Sequence, residues 1–222
     1  MRTIDKTVVH SEQSVLATNK VLRNTYGLLS LTLLFSAACA GLAVMMNMPP
    51  MGMLITFAGY FGLLFLTTRF ANSGLGLLFV FALTGFMGLT LGPILSMYLS
   101  IPNGSQIVMT AMGGTGVIFL GLSGYVLTTR KDFSFIGGFL MVGILVGFLA
   151  GLGAFFFNMP GLSLAVSAMF VLLMSGLILY QTSEIIHGGE TNYILAPVTL
   201  FVSLYNLIQS LLQLRGAYGG DD

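Results

Sequence analysis

The sequence predicts an all-α polytopic membrane protein, a bundle of seven transmembrane helices. Three observations predict it. Charged residues make up 7% of the 222-residue chain, against roughly 25% in soluble domains. Mean hydropathy is +0.96. No Lys, Arg, Asp or Glu occurs between Tyr26 and Thr68, between Phe70 and Thr129, or between Phe133 and Ser183. Backbone in hydrocarbon must satisfy its own hydrogen bonds, so such runs are helices or closed barrels. The short polar–apolar alternation of barrel strands is absent, which leaves helices.

Residues 1–21 are polar and mixed in charge, and read as a short cytosolic tail, partly helical near Val15 to Leu22. A transmembrane domain over residues 22–215 follows, then a C-terminal tail, residues 216–222. The first span runs from about Leu22 to Met46 and stops at Asn47-Met48-Pro49-Pro50. The second, the shortest, runs from about Gly52 to Thr68 and is closed by Arg69 and Ala71-Asn72-Ser73-Gly74. The third covers Leu75 to Leu99, and Ile101-Pro102-Asn103-Gly104 is a turn. The fourth covers Gln106 to Thr129, before Arg130-Lys131-Asp132. The fifth covers Phe135 to Phe157, before Asn158-Met159-Pro160-Gly161. The sixth covers Leu162 to Ile186, and the seventh Tyr193 to Leu214. Each is near the roughly 20 residues that cross hydrocarbon.

Lys and Arg set the orientation. Arg2, Lys6, Lys20 and Arg23 lie in or beside the tail, Arg69 in the second loop, Arg130 and Lys131 in the fourth. The first, third and fifth loops have none. This alternation places the N-terminus in the cytosol, and seven spans then place the C-terminus in the periplasm. The sixth loop carries no Lys or Arg, and a re-entrant last segment would return the C-terminus to the cytosol. The single cysteine, Cys39, reads as a small packed hydrophobe. Ala37-Ala38-Cys39 resembles a lipoprotein cleavage site, but Ser36 stands where Leu is wanted, so the first segment reads as an uncleaved span. A net charge of +1 gives no footprint for nucleic acid.

Gly143, Gly147 and Gly151 recur every four residues in the fifth span, and Gly88 and Gly92 in the third. Such faces let backbones approach closely, here within the bundle. Pro93 is expected to kink the third helix. In the last span Thr199, Ser203, Asn206, Ser210 and Gln213 step by four, three, four and three, which lays a polar seam on one face. Lipid would penalise that face, so the helix belongs inside the bundle. The seam is either interhelical hydrogen-bond glue or the wall of a water-filled cavity or ion path.

Two histidines and one cysteine make none of the usual zinc sites, and no cofactor is implied. Glu184, His187 and Glu190 cluster at the expected cytosolic mouth. Gly121-Leu122-Ser123-Gly124 has the Gly-x-Ser-Gly form of rhomboid intramembrane proteases. Ser123 lies roughly 9 Å deep, at about 1.5 Å per residue. His187 lies at the membrane boundary, out of reach of a general base's roughly 3 Å contact.

Gly85-x-x-Gly88-x-x-Leu91-Gly92-Pro93-Ile94-Leu95, followed by Ala111-x-x-x-Thr115-Gly116-Val117-Ile118-Phe119, resembles the signature of the Bax inhibitor-1 family. The family prefers Ala where Gly116 stands. Lys20-Val21-Leu22-Arg23-Asn24-Thr25-Tyr26, Tyr125-Val126-Leu127-Thr128-Thr129-Arg130-Lys131-Asp132 and Ile185-Ile186-His187-Gly188-Gly189-Glu190-Thr191-Asn192-Tyr193 are similar to its bacterial YccA-like branch. The resemblance implies a seven-helix fold with the last helix central, residence in the bacterial inner membrane, and association with the membrane-anchored AAA protease FtsH. The chain would be a substrate that also restrains the protease, drawn in by its N-terminal tail. For other members the resemblance implies a pH-gated calcium leak, sensed by an aspartate pair on the last two helices. Those positions fall on Gln181 and Ser203 here, and neither side chain ionises. A carboxylate pair titrates as a unit, whereas an amide and a hydroxyl do not. The expected function is therefore a protease modulator that is not an enzyme. The alternative is a calcium or cation leak without the pH gate.

Overall fold

The computed structural model describes residues 2–218, with side chains over residues 19–217. Seven α-helices follow one another: α1 Arg2–Met45, α2 Met53–Arg69, α3 Gly74–Leu99, α4 Gly104–Thr129, α5 Gly137–Phe156, α6 Pro160–His187 and α7 Leu195–Tyr218. A 3-10 turn, Ser134–Ile136, leads into α5. No strand occurs among the described residues. Six helices are long and apolar enough to cross a bilayer, over residues 19–45, 74–99, 104–129, 134–156, 160–187 and 195–217. Helix α2 has 17 residues, roughly 26 Å at 1.5 Å each, at the lower limit for a span. The helix count matches the sequence expectation.

One boundary differs clearly. Helix α1 begins at Arg2 rather than near Val15. No Gly or Pro precedes Gly27, so nothing in residues 2–26 interrupts a helix started in the first span. Helix α3 continues through Pro93 to Leu99.

The loops close by repeated local chemistry. Asn47 and Asn158, at the ends of α1 and α5, both take left-handed backbone, with φ of 47° and 49°. Each is followed by Met-Pro. The Met48 N–H reaches Ala43 O at 3.0 Å, and the Met159 N–H reaches Ala154 O at 3.0 Å. These six-to-one bonds satisfy carbonyls that a helix end would orphan, and proline then forbids further turns. Gly188 ends α6 the same way, with φ 79° and the Gly189 N–H on Glu184 O at 2.9 Å.

Helix pairs lock through glycine. A methyl at Gly88 would overlap the Ser36 carbonyl of α1, and one at Gly92 would overlap Ala43. On the other side of the bundle, a methyl at Gly143 would lie 2.6 Å from Leu173 Cδ2, and one at Gly147 2.8 Å from Met169 Cε. Gly176 of α6 reciprocates, at 2.8 Å from Leu140 of α5. These glycine faces are internal packing surfaces between α1 and α3 and between α5 and α6. Helix α2 packs on α3, whereas α7 packs against α1, α3, α4 and α6. The main core gathers Leu29, Leu83, Met174, Ile178, Leu200 and Leu207. A smaller core of Leu91, Leu95, Ile107 and Leu212 lies toward the end that carries the first, third and fifth loops.

Gly88→Ala is expected to cost about 1–3 kcal/mol through overpacking against α1. Gly116→Ala, where a methyl meets open space, should be neutral or slightly stabilising. Unfolding curves in mixed detergent micelles distinguish the two.

Candidate functional site

The polar seam of α7 is real in spacing and largely self-contained in bonding. Thr199 Oγ1 donates to Leu195 O at 3.4 Å, and Ser203 Oγ to Thr199 O at 2.8 Å. Asn206 Nδ2 donates to Val202 O at 2.8 Å. Each uses the carbonyl four residues back, as hydroxyl and amide side chains do in apolar surroundings. Ser203 and Ser210 are buried. Gln213 alone among the five bonds to another helix. Its carbonyl accepts from Ser167 Oγ and its amide donates to Ser163 Oγ, both on α6. This clamp borders a cleft of about 490 Å3 with Asn158, Phe155 and Pro160 on its walls. Gln181 on α6 is buried, and its Nε2 has no hydrogen-bond partner among the described residues.

The residues of the expected mouth fasten loops. His187 is exposed, and its two ring nitrogens face two carbonyls: Nδ1 lies 2.9 Å from Ser183 O, and Nε2 3.1 Å from Arg130 O. Ser183 Oγ accepts the Phe133 N–H at 2.9 Å. The fourth loop is thus pinned to the end of α6. Asp132 Oδ1 accepts the Ser134 N–H at 2.8 Å. That backbone bond, with the Ser134 hydroxyl, the nearby His187 and Ser183, holds the Asp132 carboxyl below its ordinary value. Glu184 lies over Gly189. Glu190 Oε1 accepts the Asn192 N–H at 2.7 Å.

Asn192 is the residue the sequence reading missed at this face. Its Oδ1 accepts from Ile194 N at 2.9 Å and Leu195 N at 3.3 Å, which caps α7. Its Nδ2 donates to Asn72 Oδ1 at 2.9 Å, which ties the sixth loop to the second. An Asn just before an apolar run is a helix-cap signal, but only the fold reveals Asn72 as its partner. Deeper in, Thr182 Oγ1 joins Tyr26 Oη and Ser123 Oγ, each at 3.3 Å. This hydroxyl chain links α6 to α1 and α4. Ser123 bonds to Thr182 and His187 to Ser183 and Arg130, so the Ser123–His187 pair that the hydrolase reading needs is not formed. Among the described residues, no three His, Cys, Asp or Glu side chains gather to hold a metal.

A helical bundle with glycine-locked pairs, a polar last helix and loops pinned by hydrogen bonds defines a multi-pass α-helical membrane protein. The family model described as "Inhibitor of apoptosis-promoting Bax1" matches residues 18–220. The chain belongs to this Bax inhibitor-1 family, as its motifs implied. It is 55% identical over 202 residues to an uncharacterized protein of Pseudomonas aeruginosa, covering 91% of each chain. It is 53% identical over 207 residues to the "Modulator of FtsH protease YccA" of Escherichia coli K12, covering 93% of this chain and 94% of that one. An uncharacterized membrane protein of Vibrio cholerae is 41% identical over 213 residues, covering 96% of each.

Asn192→Ala is expected to destabilise the fold by about 1 kcal/mol through the lost cap. Asn192→Asp keeps the cap and loses the Nδ2 bonds to Asn72 and, at 3.5 Å, Ala71 O, so its loss in thermal unfolding should be smaller. Because the folded Asp132 carboxyl titrates below its unfolded value of about 3.9, its contribution is fully present above that value. It is lost as pH falls through the lower folded value. Asp132→Asn should therefore flatten the acid limb of a stability–pH curve.

Proposed function

We propose that this chain is an inner-membrane protein that binds and restrains an FtsH-type membrane AAA protease, and is itself drawn in through its N-terminal tail. The observation that carries this reading is the near full-length match to the Escherichia coli modulator. The physical support is the contrast between the two ends of α1. Residues 2–18 extend beyond the apolar span. An isolated helix of roughly that length is marginal in water and easily unwound. Past residue 19 the same helix is locked to α3 at Ser36 and Ala43. A protease pulling from the tail would meet that lock and stall.

The proposed topology follows the Lys and Arg alternation: N-terminus and even loops in the cytosol, C-terminus in the periplasm. The proposed domains are the tail 1–21, the bundle 22–215 and the short end 216–222. Helix α7 is proposed as the axis of the bundle. It packs against four other helices, and its 56% buried share is the largest of the six long spans.

The leak reading is the weaker one. The Thr199 and Ser203 hydroxyls and one Asn206 N–H are satisfied by their own helix, so most of the seam is bonded without a water column. Gln181 and Ser203 supply no titrating pair. Liposomes carrying the purified protein and a calcium dye are expected to show no flux above empty vesicles. A protein-dependent flux would favour the leak.

Deleting residues 2–18 is expected to abolish turnover by the protease, read as a pulse-chase half-life in cells. Unchanged turnover would sink the tail model. Co-purification from membranes in mild detergent should recover the protease with the full chain, and its absence would overturn the binding claim.

A further inference from the structure

A second, larger cleft of about 730 Å3 opens at the end that carries the odd-numbered loops. It falls in the roughly 300–1,000 Å3 range of small-molecule sites. Met48, Pro49 and Met51 of the first loop form one wall, and Pro93, Ile94 and Met97 of α3 another. Thr90, Tyr205 and Gln209 line its inner part. No charged side chain and no histidine lines it.

The polar atoms there form a chain with a defined direction. Thr90 Oγ1 donates its one proton to Met87 O at 2.8 Å. The Tyr205 hydroxyl, 2.9 Å from Thr90 Oγ1, must then be the donor of that pair. Gln209 Nε2 donates to Tyr205 Oη at 3.0 Å. The second N–H of Gln209 and its carbonyl oxygen have no partner among the described residues. The cleft therefore offers only neutral polar groups, the Gln209 amide, able to donate and to accept, together with Asn47, Thr56 and Ser96, set among Met, Pro and Ile side chains. Such a lining cannot neutralise a phosphate or an ammonium. It suits a neutral carbonyl on an apolar body.

The flanks of the cleft face hydrocarbon: Leu54 and Ile55 of α2 and Met97 of α3 are exposed apolar residues. A ligand entering here comes from the bilayer. We propose that this cleft holds an acyl chain of a membrane glycerolipid, with its ester carbonyl accepting the free Gln209 N–H. The headgroup stays outside at the uncharged first loop and is not recognised.

The test uses the purified full chain in detergent micelles and a phosphatidylcholine bearing a photoactivatable diazirine on one acyl chain, with adducts mapped by mass spectrometry. Saturable labelling of residues 48–51 and 94–97 is expected. Unlabelled phosphatidylethanolamine and phosphatidylglycerol should compete equally. Ile94→Trp, which fills the cleft, should abolish this labelling and leave that of the exposed α5 residues Met141 and Leu145 unchanged, a control for folding. Gln209→Leu should weaken it about fivefold, the loss of one hydrogen bond, and carries the test if the tryptophan variant does not fold. Labelling that is unsaturable, or that persists in both variants, overturns the proposal. So does competition by a quinone but by neither phospholipid, and competition that depends on headgroup overturns the unrecognised headgroup.

Discussion

Where α1 crosses α3, the Gly88 backbone lies against the Ser36 carbonyl, and no side chain fits between them. In a bilayer, lipid tails are as apolar as leucine, so burying apolar surface between helices gains little. Close packing must hold the bundle instead, and closeness requires residues without side chains. The same device recurs between α5 and α6 at Gly143, Gly147 and Gly176. Helix α7 touches a member of each locked pair, through α1, α3 and α6. By contrast, Gly113, Gly116, Gly121 and Gly124 of α4 have open space where a Cβ would stand. Glycine spacing alone does not make a lock.

Polar groups inside hydrocarbon find partners by the shortest route. Thr199, Ser203 and Asn206 turn to their own backbone. Where a second helix is near enough, as at Gln213 with Ser163 and Ser167, the bond crosses between elements. Tyr26, Thr182 and Ser123 do the same with hydroxyls. Thr25 Oγ1 and Gln181 Nε2 are the exceptions, both buried with no partner among the described residues, a costly arrangement for a polar group.

In the proposed role, restraint of an unfoldase-linked protease calls for an end that can be drawn in and a body that resists pulling. Helix α1 carries both properties in one element: residues outside the apolar span at one end and backbone contact with α3 at the other. The even-numbered loops add further pins, His187 and Ser183 to the fourth loop and Asn192 to the second.

The helices were legible because hydrocarbon imposes one rule on every backbone group, and charge-free runs bounded by Asn, Pro and Gly reveal where that rule applies. Loop ends were legible for the same local reason, as Asn47 and Asn158 show. The seam on α7 was legible as a spacing, and the family from its motifs. The sequence by itself therefore determined the number, order and rough limits of the helices. It did not reveal that the seam is mostly self-satisfied, that Asn192 reaches Asn72 across 120 residues, or that Thr90, Tyr205 and Gln209 line one cleft. Those features depend on which helices become neighbours and at what distance. Helical period places a side chain on a face, but only packing decides what that face meets.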